Sequence, residues 1–293
     1  MTGALEGKAV VVTGAGQGLG AAYATLAAAE GAAVVVNDVD VELASAMAGR
    51  IGSAGGRALA VAGTVATWEG AGAIVGACVE AFGRIDGLVN NAGIFRLAHP
   101  AEQDPDDFRR VLEVNLLGTA YCGLHAIRAM LAQGGGAIVN VTSGAHAGSA
   151  AMGAYGASKG GVASLTYCWA ADLAGTGVRV NAVSPNAHTR MADAFEAYLG
   201  TAAQGQNLHK PPEQNAPAVI YLLSDASAAL HGQIVRIDGD ELSMIAHPTV
   251  LGEGARDASW SVGGVAAAFE AGAVGPLMPV GLHRSRHEAD LGG

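Results

Sequence analysis

The sequence predicts a doubly wound α/β fold: a seven-stranded parallel sheet with helices on both faces, followed by an irregular C-terminal extension. Short β-branched runs alternate with longer Ala-rich segments along the chain, which is the order of a parallel sheet with crossover helices. The runs are apolar throughout, as expected for strands buried on both faces. The predicted strands are 8–13, 33–37, 57–62, 86–90, 137–142, 178–183 and 233–237. The predicted helices are 18–30, 40–53, 67–82, 105–132, 153–174 and 212–224.

The alternation stops near Asp240, so we predict one domain over 1–241 and an extension over 242–293. The extension has scattered Gly and Pro and one predicted short helix at 262–271. Two interpretations stay open. It is either a loosely ordered tail or an arm that packs on a neighbouring subunit or over a pocket.

Composition excludes several classes of protein. The chain has 293 residues, of which 51% are hydrophobic and 14% charged, which excludes a disordered chain. The 44 glycines follow no three-residue period, which excludes collagen. The net charge of −10 disfavours nucleic acid and anionic membrane surfaces as partners.

Targeting signals and cysteines predict a cytoplasmic protein. No apolar run reaches about 18 residues, so no membrane-spanning helix is expected, and the N-terminus does not resemble a secretion signal. The cysteines are Cys78, Cys122 and Cys168. They are isolated and odd in number, so we predict buried thiols with neither a disulfide framework nor a metal site.

A Gly-rich segment follows the first predicted strand and opens the first helix. Residues 13–20 read Thr-Gly-Ala-Gly-Gln-Gly-Leu-Gly, and such a turn lets the backbone approach a pyrophosphate at a helix N-terminus. Asp38 follows 20 residues after Gly18, where an acid accepts hydrogen bonds from a ribose diol and repels a 2′-phosphate. No Lys or Arg occurs at 15–17 or 37–41, so NAD is favoured over NADP. The alternatives are a tight turn without a ligand, and an Asp38 that caps the next helix.

Tyr155 and Lys159 form the second candidate site. Their spacing of four residues places both side chains on one face of a helix. A neighbouring ammonium favours the phenolate and lowers the pKa of a tyrosine. Tyr155 could then exchange a proton with an alcohol or carbonyl oxygen.

Together these motifs resemble the short-chain dehydrogenase/reductase family over about residues 5–240, which implies a Rossmann-type fold. The motifs that match it in order are Thr13-Gly14-x-x-x-Gly18-x-Gly20, Asn90-Asn91-Ala92-Gly93, and the catalytic set Asn115, Ser143, Tyr155 and Lys159. The cofactor site implied by the resemblance is Gly14, Gln17, Gly18, Leu19, Gly20, Asp38, Thr64, Val65, Asn91, Ala92, Gly93, Tyr155, Lys159, Pro185, Asn186 and Thr189.

The resemblance also implies a role for each catalytic residue. Ser143 would hydrogen-bond the substrate oxygen, and Tyr155 would transfer the proton while hydride moves to or from the cofactor. Lys159 would bind the nicotinamide ribose and lower the pKa of Tyr155. Asn115 would hold a water that links Lys159 to solvent.

Subunit contacts are implied in the same way. In the family the two long helices, here 105–132 and 153–174, commonly form an interface, which implies a homo-oligomer, a tetramer or dimer. Cys122, Trp169 and the Ala-rich faces of these helices are the expected contacts.

Three positions depart from the family pattern. After the sixth strand the family usually has Pro-Gly, and here Asn186 follows Pro185 in place of the glycine. Thr64 replaces the usual Asp before Val65, and Asp240 replaces the last glycine of the terminal Asp-Gly-Gly motif. These departures leave the geometry near the nicotinamide and the adenine open.

The substrate is expected to be a bulky secondary alcohol. Residues 180–191 and 232–239 are similar to bacterial members related to 3-hydroxyacyl-CoA and 17β-hydroxysteroid dehydrogenases. The substrate wall is predicted from 94–97, 144–153 and 186–210, where His146 and His188 could touch a polar group or be ordinary loop histidines.

Two other functions compete with this one. Residues 156–160 read Gly-Ala-Ser-Lys-Gly, the G-x-S-x-G pattern of a serine hydrolase with Ser158 as nucleophile. A catalytically silent nucleotide-binding module is the other alternative.

Overall fold

The structure is a computed structural model that describes residues 3–187, 190–199, 210–251, 253–275 and 278–283. The chain divides into two compact units, Met1–Ile245 and Ala246–Gly293. Within the described residues no helix is both long and apolar enough to cross a bilayer. Nor does that part of the chain place three or more His, Cys, Asp or Glu side chains together as metal ligands.

One sheet runs through the first unit. Its strands are β1 (Ala9–Val12), β2 (Ala33–Asp38), β3 (Arg57–Ala62), β4 (Gly87–Asn90), β5 (Gly136–Val141), β6 (Val178–Asn186), β7 (Ile234–Asp238) and β8 (Glu241–Ile245). Their order is β3-β2-β1-β4-β5-β6-β7-β8. The first seven strands are parallel, which confirms the predicted doubly wound fold.

The sheet has eight strands where the sequence predicts seven, because strand β8 is not among the predicted strands. It pairs antiparallel with β7, from Asp238 opposite Glu241 to Ile234 opposite Ile245, after a tight turn in which Gly239 has a φ of +69°. Because it is an edge strand, Leu242 and Met244 are exposed, while Glu241 and Ser243 are half-buried and Ile245 is buried. Its pattern therefore alternates, unlike the fully apolar runs that predicted the parallel strands.

Eight α-helices accompany the sheet in the described part of the first unit. They are α1 (Gly18–Ala29), α2 (Val41–Ser53), α3 (Trp68–Phe82), α4 (Pro105–Leu112), α5 (Gly118–Gln133), α6 (Gly153–Asp172), α7 (Arg190–Leu199) and α8 (Ala216–Leu223). The predicted helix 105–132 is interrupted by a π-helical turn over Glu113–Leu117. Helix α7 lies within 186–210, where the sequence predicts substrate wall and no helix. Helix α8 is preceded by a 3₁₀ turn over Pro212–Asn215.

Both faces of the sheet are buried. Successive side chains of a strand point to opposite faces, so Val10 and Val12 pack in the core beneath α1 and α8. Val11 packs in the core beneath α3 and α5. The carboxyl ends of the strands are therefore the edge where connecting loops converge, which is where α/β sheets of this kind bind ligands.

Two side chains predicted at a subunit interface are buried in the core instead. Cys122 and Trp169 belong to the cluster between the sheet and α3 and α5. The Trp169 ring packs on Gly123, where an added Cβ would lie 2.5 Å from the ring. Conversely, Cys168 is exposed, so the prediction that all three cysteines are buried is wrong. One residue turns a helix by about 100°, which places Cys168 and Trp169 on different sides of α6.

The second unit contains helix α9 (Val262–Glu270), which matches the helix predicted at 262–271. The Ser261 hydroxyl caps it by accepting a hydrogen bond from the Gly264 N–H at 3.0 Å. Strand β8 belongs to the sheet of the first unit, so the compact unit extends a few residues beyond the predicted boundary at 241.

Candidate active site

The ends of β1 and β4 are tied together by side-chain hydrogen bonds. The Thr13 hydroxyl accepts from the backbone N–H of Asn91 at 3.0 Å and of Ala92 at 3.1 Å. The Asn91 amide donates to the carbonyls of Thr13 at 2.9 Å and Gly14 at 3.0 Å. The Gly-rich loop and the Asn-Asn-Ala-Gly segment are therefore held as one rigid wall.

The glycines of the loop are required by backbone conformation and by space. Gly14 has a φ of +60°, which disfavours other residues. A Cβ on Gly20 would lie 2.2 Å from the Gly14 carbonyl oxygen and 2.5 Å from the Asn91 amide nitrogen. Helix α1 then begins with no capping side chain and no acid in its first turn. Its N–H groups are available to an anion, so the loop fits a pyrophosphate.

We expect Gly20→Ala to weaken nicotinamide cofactor binding at least tenfold and to lower the free energy of unfolding by about 1–3 kcal/mol, because the methyl group cannot fit. Cofactor titration and thermal unfolding measure the two effects. Gly49→Ala is the matched control, since Gly49 is exposed in α2 and an added Cβ there meets nothing within 4 Å. That change should raise stability by about 0.5–1 kcal/mol. Equal behaviour of the two variants would contradict the assigned close approach.

Asp38 lies beside the loop at the end of β2. One carboxylate oxygen accepts from the Gly16 N–H at 3.0 Å and the other from the Asp40 N–H at 3.2 Å. Asp40, not Asp38, caps α2, because its carboxylate accepts from the N–H groups of Glu42 and Leu43. The alternative that Asp38 caps the helix is therefore wrong.

The predicted cofactor residues meet in one cavity. Its volume is about 630 Å³, within the usual range for ligand pockets. All of them that the structure describes line it, together with Ser143. Thr189 and His188 lie outside the described residues.

Tyr155 and Ser143 share the wall of this cavity. Removal from water raises the pKa of Tyr155, and a hydrogen bond with Ser143 lowers it by less. The pKa therefore lies above its ordinary value, whereas the resemblance implied a value lowered by Lys159. The Phe95 ring stands edge-on to the Tyr155 ring, with centroids 6.0 Å apart. The phenol is thus confined between an apolar ring and a hydroxyl.

Lys159 is buried, and its ammonium donates to the Val141 carbonyl at 2.7 Å. The nitrogen lies 5.7 Å from the centroid of the Tyr155 ring, as the four-residue spacing predicts. Burial lowers the pKa of Lys159 to about 8. Its protonation state therefore changes just above neutral pH.

The lowered pKa makes stability depend on pH. Between about pH 8 and 10.5 the folded chain holds Lys159 neutral while the unfolded chain keeps its proton, so the free energy of unfolding rises with pH. We expect the wild type to gain roughly 2–3 kcal/mol relative to Lys159→Met across this window. Denaturant unfolding of both proteins at pH 7, 8, 9 and 10 measures it. Parallel pH profiles would contradict a depressed pKa.

Asn115 lies behind the cavity wall in the π-helical turn. Its side chain is fully buried, accepting from the Ile94 N–H at 2.8 Å and donating to the Ile94 carbonyl at 2.8 Å. A Cβ on Gly93 would lie 3.3 Å from Asn115 Oδ1 and 3.7 Å from Lys159 Nζ. Asn115 and Lys159 therefore both lie beside Gly93, and the Asn115 side chain is occupied in fixing the segment after β4. The water relay that the resemblance implied stays a prediction.

Comparison with known proteins agrees with this geometry. A family model described as short chain dehydrogenase matches residues 8–197. This chain belongs to the short-chain dehydrogenase family. It is therefore an oxidoreductase of the kind that uses a nicotinamide cofactor, NAD or NADP.

Relatives of this short-chain dehydrogenase include proteins named for cyclic alcohols. It is 43% identical over 238 residues to cis-4-hydroxycyclohexanecarboxylate dehydrogenase of Sinomonas cyclohexanicum, covering 79% of this chain and 95% of that one. It is 36% identical over 246 residues to 2,5-dichloro-2,5-cyclohexadiene-1,4-diol dehydrogenase of Sphingobium indicum, covering 80% and 97%. A crystal structure of a short chain dehydrogenase from Mycobacterium avium superposes with a TM-score of 0.83 at 32% identity, covering 95% and 99%.

The structure contradicts the serine hydrolase alternative for this short-chain dehydrogenase. Ser158 is fully buried inside α6, and its hydroxyl donates to the Tyr155 carbonyl at 2.7 Å. A nucleophile elbow needs a strand directly before the serine and an exposed hydroxyl. Neither is present, and Ser158 instead accepts a hydrogen bond from the Asn115 amide at 3.0 Å.

Several features of this short-chain dehydrogenase were not predicted from sequence. Asn186, the departure after Pro185, donates from its side chain to Asp238 at 2.9 Å, and Thr64 accepts from the Ala66 N–H at 3.2 Å. The cavity wall also includes Arg236. The only sequence signal for Arg236 is its place two residues before Asp238 in the terminal motif.

His146 has a structural contact in this short-chain dehydrogenase. Its Nδ1 lies 2.5 Å from the Ser143 carbonyl oxygen, so this nitrogen carries the proton and donates it. The ring is not among the residues that line the cavity. This contact favours the interpretation of His146 as a loop histidine that fixes the backbone at Ser143.

Proposed function

We propose that this protein is an NAD-dependent dehydrogenase that interconverts a secondary alcohol and a ketone, with Tyr155 as general acid and base. The observation that carries the proposal is that one cavity is lined both by Asp38 beside the Gly-rich loop and by Ser143, Tyr155 and Lys159. The cofactor half supports NAD, because a carboxylate at Asp38 accepts from a ribose diol and repels a 2′-phosphate.

The chain's residues have distinct tasks in this reaction. NAD, when bound, would supply the acceptor for the hydride that leaves the carbinol carbon. The Ser143 hydroxyl oxygen already accepts from the Ala145 N–H at 3.2 Å, so its proton is available to the substrate oxygen or to Tyr155. As the phenolate, the Tyr155 oxygen takes the alcohol proton during oxidation and becomes the phenol. As the phenol, it gives that proton to the ketone oxygen during reduction. Lys159 stabilises the phenolate by its charge.

The substrate proposed is a cyclic secondary alcohol. Apolar side chains make up much of the cavity wall around the catalytic groups. They are Ile94, Phe95, Val114, Met152, Met191 and Phe195. Such a wall favours a ring or chain of carbon over a polyol, and two relatives are named for cyclic alcohols.

We also propose a homo-oligomer, a tetramer or dimer. On the outer surface of the π-helical turn and α5, Leu117, Leu124 and Leu131 are exposed at a seven-residue spacing. That spacing places the three leucines on one side of the helix. Sedimentation velocity of the full chain tests this proposal.

The test of the activity is oxidation of a panel of cyclic, steroid, aryl and 3-hydroxyacyl alcohols with NAD and, separately, with NADP. Turnover of one class, faster with NAD, is the expected result. Binding of NAD without turnover of any alcohol would favour the silent nucleotide-binding module. Failure to bind either cofactor would contradict the assignment of residues 13–38.

A further inference from the structure

An arginine lies in the wall of the cavity and has no task in the proposed reaction. Arg236 is on β7, opposite Ser184 of β6, and it lines the cavity together with Tyr155. Two residues earlier, Ile234 belongs to the same buried cluster as Ala163 of α6. Because alternate residues of a strand share a face, Arg236 lies on the same face of the sheet as α6, the helix that carries Tyr155.

Asp238 anchors this arginine. One terminal nitrogen of Arg236 donates to Asp238 Oδ2 at 2.8 Å. The other carboxylate oxygen accepts from Lys210 and from the Asn186 side chain. Burial raises the pKa of Asp238, but the hydrogen bonds from Lys210 and Asn186 and the charge of Arg236 lower it further, so the carboxylate stays ionised. Its charge is thus shared among three donors.

Most of the guanidinium is still available to a ligand. A guanidinium carries five N–H donors, and within the described part of the chain Arg236 donates one hydrogen bond, to Asp238. The Arg236 side chain is 25% exposed. It is therefore held by Asp238 and still accessible to a ligand. A planar fork of this kind matches a carboxylate.

The charges around the cavity favour an anion at this point. Among the described residues that line it, Asp38 is the single acid, and its carboxylate is held at the Gly-rich loop by the Gly16 N–H. The cations of the same wall are Arg110, Lys159 and Arg236. Lys159 is committed to the Val141 carbonyl, which leaves Arg236 as the anchored cation on the α6 face.

From these contacts we infer that Arg236 is a carboxylate-binding residue of the substrate site, so that the preferred substrates are cyclic alcohols bearing a carboxylate. This inference rests on the proposed function and adds the substrate's charge to it. The apolar wall would hold the ring, and Arg236 would hold the carboxylate. Asp238 is then a positioning residue, and Asn186 in place of the usual glycine supports it.

The test compares 3-hydroxycyclohexanecarboxylate with its carboxamide, which has the same shape and no charge. For the wild type, kcat/KM with NAD should be about 10- to 100-fold higher for the acid. In Arg236→Gln this ratio should fall to near one, mainly through KM of the acid. Arg110→Gln removes the same charge from an exposed arginine of the cavity wall and should keep the ratio.

Each outcome separates the two claims. If neither compound nor any other alcohol is oxidised, the proposed function fails. If both compounds are oxidised equally by the wild type, or if Arg236→Gln lowers both rates alike, Arg236 is a structural ion-pair residue and the inference is overturned while the proposed function stands. If Arg236→Gln does not fold, the wild-type ratio decides, together with inhibition by cyclohexanecarboxylate but not by cyclohexanecarboxamide.

Discussion

Tyr155→Phe is expected to lower kcat for alcohol oxidation by at least about 100-fold, the usual contribution of a positioned general acid and base. The change removes one oxygen atom at the cavity wall and leaves the Gly-rich loop and Asp38 untouched. Cofactor binding should therefore stay within a few fold of the wild type. Steady-state kinetics and a cofactor titration measure the two properties.

Tyr221→Phe is the matched control for this variant. Tyr221 lies on α8 with 47% of its surface exposed, and removal of its hydroxyl should leave kcat unchanged. If Tyr155→Phe kept more than about a third of the wild-type kcat, proton transfer would have to pass through another group. Ser143 is the alternative in reach, since it hydrogen-bonds Tyr155.

Asp38→Asn is expected to change the preference between NAD and NADP by about 10- to 100-fold, measured as the ratio of the two kcat/KM values. The carboxylate repels a 2′-phosphate, and a like-charge contact costs several kcal/mol. An asparagine removes the charge but can still accept the hydrogen bond from the Gly16 N–H. The loop should therefore keep its shape while the penalty against NADP disappears.

Asp40→Asn is the control that separates the loss of a negative charge from the place where the charge is lost. It removes the same charge two residues along the chain, and asparagine still caps a helix as well as aspartate does. We expect no change in cofactor preference and little change in stability. A wild type that already uses both cofactors equally, or an Asp38→Asn variant with an unaltered ratio, would contradict the role assigned to Asp38.

Much of the fold follows from the sequence because buried parallel strands have a plain signature. Runs such as Val10–Val12 are apolar on both faces, and they alternate with helical segments long enough to cross the sheet. Strand β8 escaped prediction because it is an edge strand, and its Glu-Leu-Ser-Met-Ile sequence reads as half exposed. The π-helical turn at Asn115 escaped because its sequence keeps the apolar content of the helices on either side.

The residues of the site likewise fall into those that could be predicted from the sequence and those that could not. Residues whose chemistry depends on a local spacing could be predicted, such as Tyr155 with Lys159, or Asp38 after the Gly-rich loop. The direction of the Tyr155 pKa could not, because burial depends on how the loops after β4 and β5 pack around it. Arg236 could not be predicted either, since the register between β6 and β7 decides that it reaches the cavity.

Isotope labelling of the carbinol carbon tests whether hydride passes directly from the substrate to the nicotinamide. The full chain is incubated with NAD and the fastest-reacting alcohol of the panel, deuterated at its carbinol carbon. The mass of the reduced cofactor is then measured by mass spectrometry. We expect one deuterium in the reduced nicotinamide ring for each ketone formed. Ketone formation with an unlabelled reduced cofactor would contradict direct transfer between the carbinol carbon and the nicotinamide.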